Sequence, residues 1–190
     1  MATTLIVPGI DGSGPDHWQT WLQQAIPDTK RVVQHDWSRP SLSQWSTSIR
    51  WAIDRQPEPV WIVAHGFGCL AAVQAANDYS DCVAGAMLVA PLDPYHHLHP
   101  SSLPPQPLDF PSVVVASSND PHTRIDKAEF WADFWNSRFI NIGPAGHIDA
   151  ESGFGPWWEG LDILEQLRRS TRAEAFSRTS DVIRHFGRAL

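Results

Sequence analysis

Three short segments of the chain carry residue types that could do chemistry together. They are Ala64-His65-Gly66-Phe67-Gly68, Ser117-Ser118-Asn119-Asp120-Pro121-His122 and Gly143-Pro144-Ala145-Gly146-His147-Ile148. Asp120 and His147 are the informative pair. A histidine can take a proton through one ring nitrogen while a carboxylate holds the other, fixing the tautomer and stabilising the imidazolium. Such a pair serves a hydroxyl nucleophile, which is weak unless a base lies within hydrogen-bond reach. The first segment has the outline of the sharp strand-to-helix turn that presents a serine, normally G-x-S-x-G. Aligned on Gly68, its first glycine is replaced by Ala64, a mild change, and its serine by Gly66, which has no side-chain oxygen. Backbone N–H groups would receive the oxyanion of an acyl-transfer intermediate. One is that of Phe67, after the nucleophile position, and the other comes from the loop after the first strand, at Ile10 or Asp11.

Each segment alone has a plainer reading. A Gly-x-Gly stretch can be mere turn geometry, an aspartate before proline is a common turn residue, and Gly146-His147 is ordinary loop sequence. Their order along the chain is what joins them into one candidate site.

Bringing positions 66, 120 and 147 together requires a scaffold, and the hydropathy pattern provides one. Apolar, β-rich runs at Thr4–Val7, Arg31–Gln34, Val60–Ala64, Val83–Ala90, Pro111–Ser117 and Phe139–Ile142 are predicted strands. The first predicted helix opens at Pro15 or Asp16 and carries Trp18, Trp21, Leu22 and Ala25 at helical spacing. Ser41 and Gln44 have the spacing of a capping box, ahead of a stripe formed by Leu42, Trp45, Ile49, Ala52 and Ile53. Cys69 to Ala76, Arg124 to Trp135 and Trp157 to Arg169 are further predicted helices. This alternation gives fold class α/β, a mostly parallel six-stranded sheet with helices on both faces. In open parallel sheets, ligands gather beyond the carboxyl ends of the strands. The loops holding Ile10, Gly66, Asp120 and His147 all fall there, in the order nucleophile, acid, histidine that α/β-hydrolases use.

Composition narrows the function further. The length of 190 residues suits one domain, placed at 1–170, with a charged tail at 171–190 as an added helix or a flexible end. A net charge of −7 without a basic stripe argues against a nucleic-acid partner. Met1-Ala-Thr-Thr runs straight into a strand and no long apolar segment exists, so neither a signal peptide nor a membrane partner is expected. Cys69 and Cys82 give no disulfide framework, which fits a reducing, cytoplasmic location. Residues 91–110 hold six prolines and three histidines and are expected to form a mobile loop bordering the site. His96, His97 and His99 raise a metal reading, but a metal site needs fixed geometry and supporting partners. No metal or other cofactor is expected.

Together the segments resemble the small α/β-hydrolases of the retinoblastoma-binding protein nine and YdeN-like group. The resemblance covers residues 3–168. It rests on Val7-Pro8-Gly9 followed by Gly12-Ser13-Gly14-Pro15-Asp16-His17-Trp18, on the elbow, and on Ser118-Asn119-Asp120-Pro121. Gly146-His147-Ile148 followed by Ser152-Gly153-Phe154-Gly155-Pro156-Trp157 completes it. It implies a single-domain serine hydrolase with no large cap domain and a Ser-Asp-His triad carried onto positions 66, 120 and 147. Gly66 departs from that pattern. Either the serine has been replaced by engineering or the chain is a natural pseudoenzyme, and the intact Asp120 and His147 favour the first. Cys69, one helical turn on, and His65 are poor substitute nucleophiles. His17, His65 and Trp157 are candidates for the pocket wall. The expectation is a hydrolase for small carboxylic-ester or acyl substrates, inactive in the form with Gly66. The alternative is a binding or scaffolding protein on the same fold, although no peptide motif identifies a protein partner. A lyase using Asp120 and His147 as acid and base is a third reading.

Overall fold

Val60–His65 and Ser112–Ala116 are short apolar runs in which every residue is buried. That is the pattern of strands covered on both faces. A computed structural model describes residues 2–94 and 107–171. In it six strands, β1 (Thr4–Val7), β2 (Thr29–Arg31), β3 (Val60–His65), β4 (Val83–Val89), β5 (Ser112–Ala116) and β6 (Arg138–Asn141), form one sheet. Their order is β2-β1-β3-β4-β5-β6. Every neighbouring pair is parallel, with Val7 opposite Ala64 and His65 opposite Val89. The edge strands β2 and β6 are the less buried ones.

Among the described residues, four α-helices lie between these strands: α1 (Trp18–Ala25), α2 (Leu42–Asp54), α3 (Phe67–Asn77) and α4 (Ile125–Phe134). The chain moves one way across the sheet from β1 to β2 and the opposite way afterwards. Since crossovers are right-handed, α1 lies on one face and α2, α3 and α4 on the other. Side-chain alternation agrees. Leu5, Val7, Ile62 and Ala64 join the core cluster with Trp45, Leu70 and Trp135, whereas Ile6 and Val63, also fully buried, lie outside that cluster. Residues up to Trp157 pack as one unit. The helix at 158–171, α5, belongs to a second unit, within which Arg168 pairs with Glu165 at 2.8 Å. Among the described residues no helix is long and apolar enough to cross a membrane. The tail at 172–190 lies outside the described residues, as do residues 95–106, which include His96, His97 and His99.

Local details correct several expectations. The second strand was expected at Arg31–Gln34, on the strength of Val32 and Val33, but pairing with β1 spans Thr29–Arg31. Val32 is buried and Val33 is 70 % exposed, so only one of the two valines is in the core. Ala25 is exposed on α1, and Gln19 is buried there beside Trp18 and Leu22. Its amide donates to the Val7 and Val63 carbonyls at 3.2 and 3.1 Å, and its carbonyl accepts from Ser13 at 2.6 Å. Ser41 caps α2 by backbone position alone, with no side-chain cap bond. Cys82 ends a short 3-10 turn before β4. The elbow helix starts at Phe67, two residues before the expected Cys69, because Gly66 is already its N-cap. Trp18, Trp45 and Trp135 are among the largest fully buried side chains, while Trp51 and Trp158 are exposed.

Gly68 governs how α3 meets β1. A Cβ there would overlap the Pro8 carbonyl oxygen and lie 2.7 Å from that of Val7. Both contacts are rigid backbone. Overpacking of this kind costs about 1–3 kcal/mol or more. Gly68→Ala is therefore expected to lower the unfolding free energy by that amount, read in equilibrium urea unfolding as a lower midpoint with m unchanged.

Candidate active site

The strand order reverses between β1 and β3, and the crevice of such sheets opens at the carboxyl ends beside that switch. A cleft of about 450 Å³ lies there, bordered by Gly9, Ile10, His17, Gly66, Phe67 and His147 among others. Gly66 sits at the turn with φ 55° and ψ −125°, a left-handed conformation that a side chain adopts only with strain. Its N–H donates to the Val89 carbonyl at 3.1 Å, so β4 holds the turn in place.

His147 faces Gly66. A Cβ built on Gly66 would lie 3.4 Å from His147 Nε2. On the other side of the ring, Nδ1 stands 3.1 and 2.9 Å from the two oxygens of Asp120. Those oxygens can only accept from Nδ1–H, which leaves Nε2 as the basic nitrogen, turned toward position 66. The Asp120 side chain is 3 % exposed and that of His147 13 %. Side chains lace the two loops that carry this pair. Ser117 Oγ accepts from the Ala145 N–H at 2.9 Å and Asn119 Oδ1 from the Gly146 N–H at 2.8 Å. Ser152 Oγ accepts from the His147 N–H at 3.1 Å and donates to Asp149 at 2.7 Å. The Trp18 indole donates to the Ile148 carbonyl at 2.8 Å, and the Trp18 N–H to that of Phe154 at 2.9 Å. The Asp16-His17-Trp18 and Ser152–Trp157 segments thus meet as one support for His147.

The expected oxyanion donors divide. Among the described residues, the Phe67 and Ile10 N–H groups carry no hydrogen bond, and both residues border the cleft. Asp11 is a correction, because its N–H donates to the Trp37 carbonyl at 3.1 Å and is already used. The pocket-wall expectations divide as well. His17 and His65 line the cleft. His17 also caps α1, its Nδ1 accepting from the Gln19 N–H at 3.1 Å. His65 Nε2 donates to the His147 carbonyl at 2.9 Å. Trp157 is a correction, absent from the cleft lining and buried with its ring centroid 5.2 Å from Trp18 and 5.5 Å from Phe154. Of the loop at 91–110, Leu92 reaches the cleft, while Leu108 and Phe110 are buried in the core.

Sequence reasoning missed His122, whose ring centroid is 4.6 Å from that of His147 and whose N–H donates to Asp120 at 2.8 Å. Its place two residues after Asp120 was the available signal. Asp149, two after His147, was missed too. Burial opposes its ionisation, yet hydrogen bonds from Ser152 and the nearby His147 and His65 hold its carboxyl below the usual range. Burial lowers His17 to about 4, and burial with His147 and His17 nearby lowers His65 to about 3. Burial also pushes the Cys69 thiol far up, which makes it a poor nucleophile.

Residues 4–166 match the sequence profile of the family described as Serine hydrolase. The chain belongs to that family. Among solved structures, a protein described as a YdeN-like hydrolase from Pectobacterium atrosepticum shares 35 % identity, with a TM-score of 0.85 over 90 % of this chain and 92 % of that one. The ydeN gene product of B. subtilis shares 17 % identity, with a TM-score of 0.75 over 89 % of this chain and 100 % of that one. Est1E from Butyrivibrio proteoclasticus, solved with ferulic acid bound, shares 12 % identity, with a TM-score of 0.68 over 91 % and 89 % of the two chains. No curated protein matches significantly. This serine-hydrolase chain therefore has the α/β-hydrolase fold and comes from a hydrolase family, with glycine at the elbow.

The two neutral histidines link stability to pH. Each is depressed in the folded state from an ordinary value of 6.5. Below 6.5 the unfolded chain takes up protons that the folded chain refuses, so stability falls as the medium acidifies toward about 4. Urea unfolding should show a midpoint insensitive to these groups above neutrality and falling below it. His65→Gln should make that fall shallower.

Proposed function

We propose that the chain is built as a serine hydrolase of the carboxylic-ester or acyl type, with Gly66 at the nucleophile position and Asp120 and His147 as the remaining catalytic pair. The observation that carries this reading is the fit at residue 66. A Cβ there points at His147 Nε2 from 3.4 Å and meets no other atom closer than 3.8 Å outside its chain neighbours. A serine would fit and would find its base waiting. The oxyanion would form between the Ile10 and Phe67 N–H groups. Without the serine the covalent route is closed, and the Gly66 chain is expected to be a poor esterase. The substrate class is a small-molecule ester. Asp11, Asp149 and Glu151 border the cleft, and among the described residues no lysine or arginine does, so uncharged or basic substrates suit it better than anionic ones. Both cysteines are free, which favours a reducing compartment such as the cytoplasm.

A second reading, a binding protein on a hydrolase fold, draws on Gly66 itself. The two separate on one variant. Gly66→Ser should react with a fluorophosphonate probe at position 66 and release product from simple activated esters in a burst. The same variant places a side chain at φ 55°, and such strain costs about 1–3 kcal/mol. Its melting temperature should therefore lie below that of the Gly66 chain. A folded Gly66→Ser protein that stays unlabelled and inactive would leave the binding reading as the better one.

A further inference from the structure

Gly66 leaves more than a missing hydroxyl. The position that a Cβ would take lies 3.4 Å from His147 Nε2 and 3.8 Å from Gly9 Cα, on the wall of a cleft that Ile10 and Phe67 also line. A serine side chain and a water molecule place an oxygen in much the same volume. The rest of an acyl-transfer site is assembled around that volume, with Nδ1 of His147 held by Asp120 at 2.9 Å. We propose that a water molecule takes this place and that the Gly66 chain hydrolyses small carboxylic esters by direct water attack, with His147 as general base and no covalent intermediate. The proposal rests on the ester-hydrolase reading above and assigns a mechanism to the chain as it stands.

The step balances without any further reactant. The water oxygen bonds to the carbonyl carbon as one of its protons passes to His147 Nε2. The carbonyl electrons move onto oxygen, and the oxyanion is held by the Ile10 and Phe67 N–H groups. Asp120 stabilises the imidazolium through Nδ1. Collapse restores the C=O bond and breaks the bond to the alcohol oxygen, which leaves with the proton from Nε2. One water and one ester give one acid and one alcohol, and His147 ends as it began.

The geometry also says what must abolish this route. A methyl group on residue 66 would occupy the place beside Nε2 and offer no hydroxyl. Gly66→Ala and Gly66→Ser carry the same backbone strain, so comparing them isolates the oxygen. The experiment follows p-nitrophenyl acetate hydrolysis by the Gly66 protein, by Gly66→Ala, by Gly66→Ser and by His147→Gln, with melting curves on each. The Gly66 protein should turn over linearly from the first cycle, with a solvent deuterium isotope effect, no acyl adduct by mass spectrometry and no loss of rate after fluorophosphonate. General acid–base catalysis contributes about 10²–10⁴-fold, so His147→Gln should be slower by at least the lower figure. Gly66→Ala should fall to the same level. Should His147→Gln fail to fold, Asp120→Asn, which removes the tautomer control, should show the rate loss in its place. A Gly66 protein no faster than the His147 variant, an acyl group found on His147, or a Gly66→Ala protein as active as its parent would each overturn the proposal. If Gly66→Ser is nevertheless labelled and shows a burst, only the water route has failed. If it is folded, unlabelled and inactive, the ester-hydrolase reading fails with it.

Discussion

The site depends on how closely α3 can approach the end of β1. Gly68 permits it, since a Cβ there would collide with the Pro8 carbonyl and press on that of Val7. With that contact made, the turn at Gly66 and the Gly9-Ile10 loop stand side by side. Phe67 and Ile10 then border one cleft with His147. Gln19 reinforces the same junction from the other face by bonding the Val7 carbonyl at the end of β1 and the Val63 carbonyl within β3. A buried amide on α1 is costly unless its hydrogen bonds are made, and here they are made to the two strands that carry the site.

Charge inside the cleft is arranged by burial as much as by partners. His65 and His17 are kept neutral beside His147, their ring centroids 5.0 Å apart and that of His65 4.8 Å from His147. Two protonated neighbours would oppose any positive charge on His147. Their burial removes that opposition, while the carboxylate of Asp120 remains in direct contact. The same arrangement links the fold to pH, because the protons refused by the folded chain are accepted by the unfolded one.

Much of this is legible in the sequence. Strand–helix alternation determined the sheet, and the positions of Gly66, Asp120 and His147 after their strands placed them at one edge. What stayed hidden was decided by contacts remote in sequence. Asp11 was a reasonable oxyanion donor until Trp37 was found to take its N–H. Trp157 reads as a pocket residue from its motif, yet Trp18 and Phe154 pack around it. The second strand was placed too late because β-branched Val32 and Val33 outweighed the register that β1 imposes. Asn119 and Ser152 stood in the quoted motifs, but neither they nor Ser117 disclosed a bond to the histidine loop, since a small polar residue in a loop has many ordinary uses. His122 was concealed for the same reason, one histidine among several in turns.

The lacing of the histidine loop bears on what ligand binding must cost. Residues 143–149 form no strand or helix, yet the N–H groups of Ala145, Gly146 and His147 are bonded to Ser117, Asn119 and Ser152. Irregular backbone usually has many conformations to lose when a ligand arrives. Here most of that entropy has already been given up on folding. A ligand entering the cleft meets an imidazole whose backbone has nowhere else to go, so its association need not order the loop first. A segment that secondary structure would describe as loop thus behaves, thermodynamically, as part of the rigid frame.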